Sequence, residues 1–401
     1  MPNSLDPGIH IPTEAEVDVV VVGAGTAGTS AASAFAHRGY DVALIDVHPQ
    51  HGIDFRAEKI GQPQMDYLAA FGLGEAASRA VTPFDAVWIH RFGRIVEKRA
   101  KSEFGSSYQG FVNALRRGLP PSVRVLVGRV DHISTTGDRQ ELTLADGHHL
   151  GARLVVVATG LGDAVRQKLG IGRVTTSRSH TLALGFDLAN RPSDFPFPSL
   201  VWNLERPADR AAFFTLFPIG DRMRANLWVY RDPGDPWTQA FRRDPAMAVG
   251  RLAPGFERQF GAIAAAEGAV SVRPIDLIEL KGYRRPGVVV IGDAFLTTCP
   301  STGTGVDKAL CDVDRLLHHA QRWFDTPGMS AEKIGEFYDD PIKQERDANA
   351  VRLSWRARSL RLDRGPVWAA RRLKSTVVER SAYRLRGLLA RPPTVASQVA
   401  G

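Results

Sequence analysis

Three glycines, Gly23, Gly25 and Gly28, follow the apolar run DVVVV at G-x-G-x-x-G spacing and open an Ala-rich stretch. The chemistry suited to such a turn is phosphate binding. The first glycine turns the chain, the second admits a pyrophosphate against the backbone, and the third lets helix and strand pack closely. Ala24 and Ala27 belong to the same small-residue turn. A helix beginning there offers free N–H groups and partial positive charge to an anion. Asp46 ends the next apolar run, where a carboxylate can hold ribose hydroxyls. Together these residues predict a dinucleotide-binding βαβ unit. The spacing does not choose between NAD and FAD, but its place near the N-terminus, without a second fingerprint of equal quality, favours a resident cofactor.

A second segment, GDAFLTTCPSTGTGVDKALCD, closes the apolar run GVVVI and leads into another helix pattern. It resembles the G-D-A…P-x-x-G-x-G segment of flavin-dependent aromatic hydroxylases. These share the p-hydroxybenzoate hydroxylase fold with ubiquinone-biosynthesis hydroxylases and geranylgeranyl reductases. The resemblance covers about residues 17–325 and implies FAD as the cofactor. It implies that Asp293 bonds the ribityl chain and that Pro300, Gly303, Thr304 and Gly305 face the flavin ring. A helix N-terminus at that place would stabilise the negative charge of reduced flavin. The same resemblance makes Arg56 an FAD contact, with Lys59 as a cofactor contact or surface residue. It sets Gln109 near the adenosine-phosphate side and Val130 in the strand that touches adenine. In the substrate domain it puts Phe213, Phe214, Phe217 and Pro218 over the flavin, with ordinary sheet core as the alternative; His180, on a strand-like stretch, is either a base near the substrate or an exposed strand histidine.

Two positions depart from the family pattern. The middle motif reads VVVATGLGDAVRQKLG, with Thr159 where the family has an aspartate, and Phe295-Leu296 follows Gly292-Asp293-Ala294 where a histidine is expected. A neutral hydroxyl cannot replace a carboxylate that orients a cationic partner, so NAD(P)H as electron donor is put in question. Three chemistries stay open. One is an NAD(P)H-dependent monooxygenase working through a C4a-hydroperoxyflavin on an apolar or aromatic small molecule. Another is an oxygenase fed by a separate flavin reductase, and the third is a dehydrogenase or reductase acting on C–H or C=C bonds. A flavin-binding accessory protein is the non-enzymatic alternative. A halogenase fits least, lacking that subfamily's Trp-rich signature. No catalytic residue is assigned: the cofactor carries the hard chemistry, and the neighbours of Cys299 offer no thiolate activation.

The elements that must hold these residues follow from periodicity. An apolar strand, glycine turn, helix and second strand span DVVVVGAGTAGTSAASAFAHRGYDVALID. Residues 84–98 alternate as a hairpin around Phe92-Gly93. The stretch 123–160 reads as a meander ending in the buried strand LVVVAT, 175–235 as further strands, and 236–268 as helical. The fold class is α/β: a Rossmann-type FAD-binding domain with an inserted α+β substrate domain and a C-terminal helical segment. The expected division is an arm at 1–16, a cofactor domain at 17–80, 101–172 and 273–325, a substrate domain at 81–100 and 173–272, and a basic helical region at 326–401.

Composition adds limits. With 44% hydrophobic and 23% charged residues, the 401-residue chain can bury a sizeable core. Cys299 and Cys311 make neither a disulfide framework nor a metal cluster. No 18-residue apolar run or signal-peptide pattern is present, so a cytoplasmic setting is expected. Residues 351–401 hold 12 Lys and Arg against 2 Asp and Glu, a charge of +10, whereas the whole chain carries +8. The basic character therefore resides in the tail. Arg alternates there with Leu, Trp and Val, broken near Gly365-Pro366. Such a segment suits packing on the core or peripheral contact with a membrane surface. Nucleic acid is not expected, because no reading module accompanies the charge.

Overall fold

The computed structural model describes residues 14–389 apart from Phe55 and Ala269, and leaves out the side chains of residues 379 and 384–389. The chain begins β1 (Glu14–Val22), α1 (Thr26–His37), β2 (Val42–Asp46), β3 (Ala57–Gly61), α2 (Gln62–Ala70), α3 (Gly74–Arg79), β4 (Thr82–Arg91) and β5 (Arg94–Ser107). It continues through α4 (Tyr108–Arg117), β6 (Arg124–Val127), β7 (Val130–Thr135), β8 (Gln140–Leu144), β9 (His149–Val157) and α5 (Ala164–Lys168). Next come β10 (Gly172–Asp187), β11 (Leu200–Asn203), β12 (Ala211–Ile219) and β13 (Arg222–Val229). The remainder is α6 (Pro236–Arg243), α7 (Pro245–Leu252), α8 (Phe256–Phe260), β14 (Ser271–Lys281), β15 (Val288–Val290), α9 (Gly305–Phe324), α10 (Ala331–Tyr338), α11 (Pro341–Leu362) and α12 (Pro366–Leu389).

Two sheets organise these elements. The first has the order β6-β2-β1-β9-β8-β7, with β15 parallel to β9. Its central strands are apolar without alternation because both faces are covered. Val19 and Val21 pack with α1 and α9, while Val20 and Val22 enter the core on the other side. The expected meander is only β7-β8-β9; β6 pairs parallel with β2 instead. Periodicity could not show that, since a four-residue strand carries no partner information.

The second sheet has the order β14-β10-β13-β12-β11-β4-β5-β3. It takes in 57–61 and 101–107, which the sequence reading assigned to the cofactor domain. The hairpin turns at Phe92-Gly93 with φ of 53° and 78°, two successive positive values as in a type I′ turn. Alternation along β12 and β13 sends Phe214, Leu216, Ala225 and Leu227 into an aromatic-rich core beneath α6–α8. The opposite face carries Phe213, Asn226, Trp228 and Tyr230 towards β3 and the 297–301 turn.

Candidate active site

The first glycine turn is shaped by contacts that only glycine tolerates. Gly23 has φ of +103°, and a Cβ there would lie 2.5 Å from the Ala158 carbonyl oxygen. A Cβ on Gly28 would lie 1.8 Å from the carbonyl oxygen of Gly23. Strand end, turn and α1 are thus pressed together, and α1 follows Gly25, its N-cap, without a side-chain cap. Its first N–H groups are left for an anion. Asp46 accepts from the Ala24 amide at 2.7 Å, the His48 amide at 3.0 Å and Arg116 at 3.1 Å. A carboxylate offers about four acceptor sites, so these three bonds leave capacity for a ribose hydroxyl.

Arg116 escaped the sequence reading. From the last turn of α4 it also donates to the carbonyls of Ala24 at 2.7 Å and His48 at 3.0 Å, tying the glycine turn to the ribose acid. Its only sequence signal was a basic residue at a helix C-terminus. Arg56 is held by Asp54 at 2.6 Å and stacks on the Tyr108 ring, 3.8 Å from its centre. The Tyr108 hydroxyl lies 3.4 Å from where a Cβ on Gly25 would be. Arg56 and the glycine turn therefore lie on either side of Tyr108. Glu58, also missed, stands in the same field. Burial pushes its carboxyl up, Arg56 opposes this, and the Asp293 charge adds to the rise. Gln109 lies half-buried in the first turn of α4. The Val130 side chain is sealed in the core at 3% exposure, which leaves its backbone alone for an adenine contact. Lys59 pairs with Glu103 at 2.8 Å.

The second cofactor segment meets the first directly. Gly292 has φ of +63°, and a Cβ on it would lie 3.1 Å from the Cβ of Ala27. The Asp293 side chain is exposed. Pro300 begins a 3-10 turn, Gly303 has φ of +67°, and α9 starts at Gly305 with no side-chain cap from Thr304. The turn rests on a buried charge network that the sequence reading did not anticipate. Asp312 accepts the Gly292 amide at 2.8 Å and pairs with Lys343 at 2.7 Å and Lys308 at 3.5 Å. Lys308 donates to the Gly292 carbonyl at 3.1 Å, and Lys343 also reaches Asp347 at 2.9 Å. Burial would raise the Asp312 carboxyl, but the two lysines hold it below the ordinary range. Buried charges persist when paired and hydrogen-bonded, and here they clamp the Gly292-Asp293 backbone.

On the substrate side the structure separates the predicted residues. Phe213 is half-buried and packs on Trp228, with ring centres 4.8 Å apart, on the cleft face. Phe214 points the opposite way, stacked on Trp202 in the core under α6–α8. Phe217 is buried against Phe84, Val87 and Ile89, and Gly105 crosses close to its ring; Pro218 is buried beside it. Phe214 and Phe217 are thus core residues, one divided from Phe213 by strand alternation and the other by the crossing of β5. His180 is fully buried, with Nδ1 on the Ser177 hydroxyl and Nε2 on the Ser354 carbonyl, both at 3.1 Å. Burial lowers its pKa. With both nitrogens engaged, it anchors α11 and is not a free base.

Tyr230 and Arg358 emerge instead. The Tyr230 hydroxyl is 3.5 Å from Ser301 on the Pro300 turn, and Arg358 of α11 lies 5.9 Å from its ring centre. Burial pushes Tyr230 well above the ordinary phenol range. Cys299 is buried against Ser301, and burial raises its thiol. At the middle motif, the Thr159 hydroxyl donates to the Gly162 carbonyl at 3.1 Å and Gly160 has φ of +57°. Thr159 therefore closes its own turn. Among the described residues no group of three or more His, Cys, Asp or Glu could hold a metal.

The profile of a family described as an FAD binding domain matches residues 16–110. The 3-demethoxyubiquinol 3-hydroxylase of Escherichia coli (strain K12) is 24% identical over 83% of this chain and 88% of its own. The menaquinone reductase of Mycobacterium tuberculosis (strain ATCC 25618 / H37Rv) is 28% identical over 73% of this chain and 74% of its own. Among solved structures, p-nitrophenol 4-monooxygenase PnpA from Pseudomonas putida DLL-E4 superposes with a TM-score of 0.69. It is 17% identical and covers 89% of this chain and 92% of its own. Residues 16–110 thus match an FAD-binding domain, and the two sheets have the p-hydroxybenzoate hydroxylase fold.

Proposed function

We propose that this chain is a monooxygenase that uses FAD to oxidise or hydroxylate an apolar or aromatic small molecule. The observation that carries the reading is the meeting of two glycine turns, Gly292 against Ala27, beside a sheet face on which half-buried Phe213 packs on Trp228 and Asn226 reaches the Ala57 carbonyl. Names of relatives support it: one is a ubiquinol hydroxylase and one structural neighbour a nitrophenol monooxygenase.

The residues present fit FAD. The uncapped start of α1 and the space kept open at Gly25 suit the pyrophosphate, and Asp46 suits the ribose. The uncapped start of α9 suits the flavin ring. When bound, FAD supplies the electrons that activate dioxygen. The protein binds and orients through these turns, and Trp228 and Phe213 keep the cleft face apolar. Tyr230, fully buried and protonated at neutral pH, braces Ser301 of the Pro300 turn.

NAD(P)H is the proposed electron donor, and Thr159 turned inward predicts slow reduction without substrate or a partner reductase. A second reading, reduction of a C=C bond, is favoured by the menaquinone reductase relative. Anaerobic reduction with NADH, NADPH and reduced free flavin, then an oxygen pulse in the presence of phenols and quinones, tests the choice. The monooxygenase predicts oxygen in the product. Only hydrogen peroxide, together with a quinone or alkene reduced anaerobically, would overturn it. Asp293→Ala, exposed and remote from the core, should weaken FAD binding at least tenfold while the apoprotein Tm stays within a few degrees.

A further inference from the structure

Helix α12 has two unlike faces. Towards the protein, Tyr383 packs on the cluster of Phe84, Val87, Ile89 and Phe217. Arg380 lies 4.4 Å from the centre of the Phe92 ring at the β4–β5 turn, and Arg372 donates to the Asp363 carbonyl. Away from the protein, Val367, Leu373, Val377 and Val378 are 61%, 65%, 54% and 56% exposed. At 3.6 residues per turn these four share one side with exposed Ala370. Arg371, also exposed, borders the stripe, and exposed Lys374 lies within it, where its long apolar stem can carry the ammonium outward.

Charge accompanies the apolar stripe. Between Pro366 and Leu389 stand six Lys and Arg and one acid, Glu379. The adjoining hairpin adds exposed Arg94 next to Phe92-Gly93. Soluble proteins rarely leave contiguous apolar side chains open. A helix with an apolar stripe edged by Lys and Arg lies in the interfacial plane of a bilayer, drawn by anionic headgroups. An acidic protein surface would answer the charge but not four outward aliphatic side chains.

We propose that the outer face of α12 docks this protein on the surface of an anionic phospholipid bilayer. The helix does not cross it: no helix among the described residues is long and apolar enough to span a membrane. Docking and the candidate site are linked through α11, which holds the Pro300 turn by the Ser354–Cys299 bond of 2.9 Å and leads through Gly365 into α12. An apolar substrate could then be taken from the bilayer that the enzyme rests on.

The test uses the full-length FAD-loaded protein, sedimented with vesicles of phosphatidylglycerol and phosphatidylcholine or of phosphatidylcholine alone. Binding to the anionic vesicles should exceed that to neutral ones at least tenfold and weaken as salt shortens the Debye length. Leu373→Glu with Val377→Glu should cut binding at least tenfold with FAD content and Tm unchanged. Arg371→Glu with Lys374→Glu should do the same. Equal or negligible binding to both vesicle types would overturn the proposal, as would undiminished binding by the folded aliphatic double variant. So would a vesicle-free dimer that the same variant dissociates, since a second copy would then cover the stripe.

Discussion

The two sides of the cleft are built by different means. On the proposed cofactor side the groups are main-chain: glycine turns at Gly23–Gly28 and Gly292, and the uncapped starts of α1 and α9. On the proposed substrate side they are side chains from distant elements: Phe213 of β12 packs on Trp228 of β13, and Tyr230, just past β13, faces Ser301 of the turn and Arg358 of α11. A backbone site tolerates no added atom but depends little on residue identity elsewhere. A side-chain site depends on which face of a strand or helix each residue occupies.

The sharpest way to break this contrast is at the glycines. Gly28→Val would drive a branched side chain into the Gly23 carbonyl, and Gly25→Val would crowd Tyr108 and the pyrophosphate path. Both should be purified without flavin absorbance; retained stoichiometric FAD in either would show that the turn is not the cradle. The next largest effect concerns the lysine–aspartate network under Gly292. Asp312→Ala strips the counter-ion from buried Lys308 and Lys343, and should cost about 3–5 kcal/mol in denaturant unfolding. A loss below 1 kcal/mol would mean that the network carries little of the turn's support.

Asp340 tests a similar lock in milder form. It caps α11 and accepts from Arg315 and His319. Burial alone would raise its carboxyl, but these bonds hold it at about 2. A folded pKa below the unfolded value of about 4 gives stability above that pH, lost as pH falls towards 2. Asp340→Asn should cost about 2 kcal/mol at neutral pH and flatten the acid limb of the stability profile. A parallel acid limb in wild type and variant would refute that assignment. The smallest effect is at His180, where His180→Gln should lower stability by about 1–2 kcal/mol through the lost α11 contact. The pH–rate profile should keep its shape, and disappearance of a limb near neutrality would restore His180 as a base.

What the sequence determined by itself was the pair of glycine turns proposed to hold the cofactor. Gly23, Gly25, Gly28, Asp46, Asp293 and the Pro300–Gly305 run declare themselves through type and local spacing, because main-chain sites need particular residues at fixed offsets along one turn. The α/β class and the hairpin at Phe92-Gly93 were equally local. Tertiary structure alone decided the rest. Strand alternation left Phe213 at the cleft and sent Phe214 into the core. The crossing of β5 sealed Phe217, and α11 occupied both nitrogens of His180. Arg116, Glu58, Lys343 and Tyr230 acquire meaning only from partners distant in sequence, as Arg116 does from the Ala24 carbonyl 92 residues away. Their roles rest on packing and desolvation between elements far apart in sequence, and no local pattern records those.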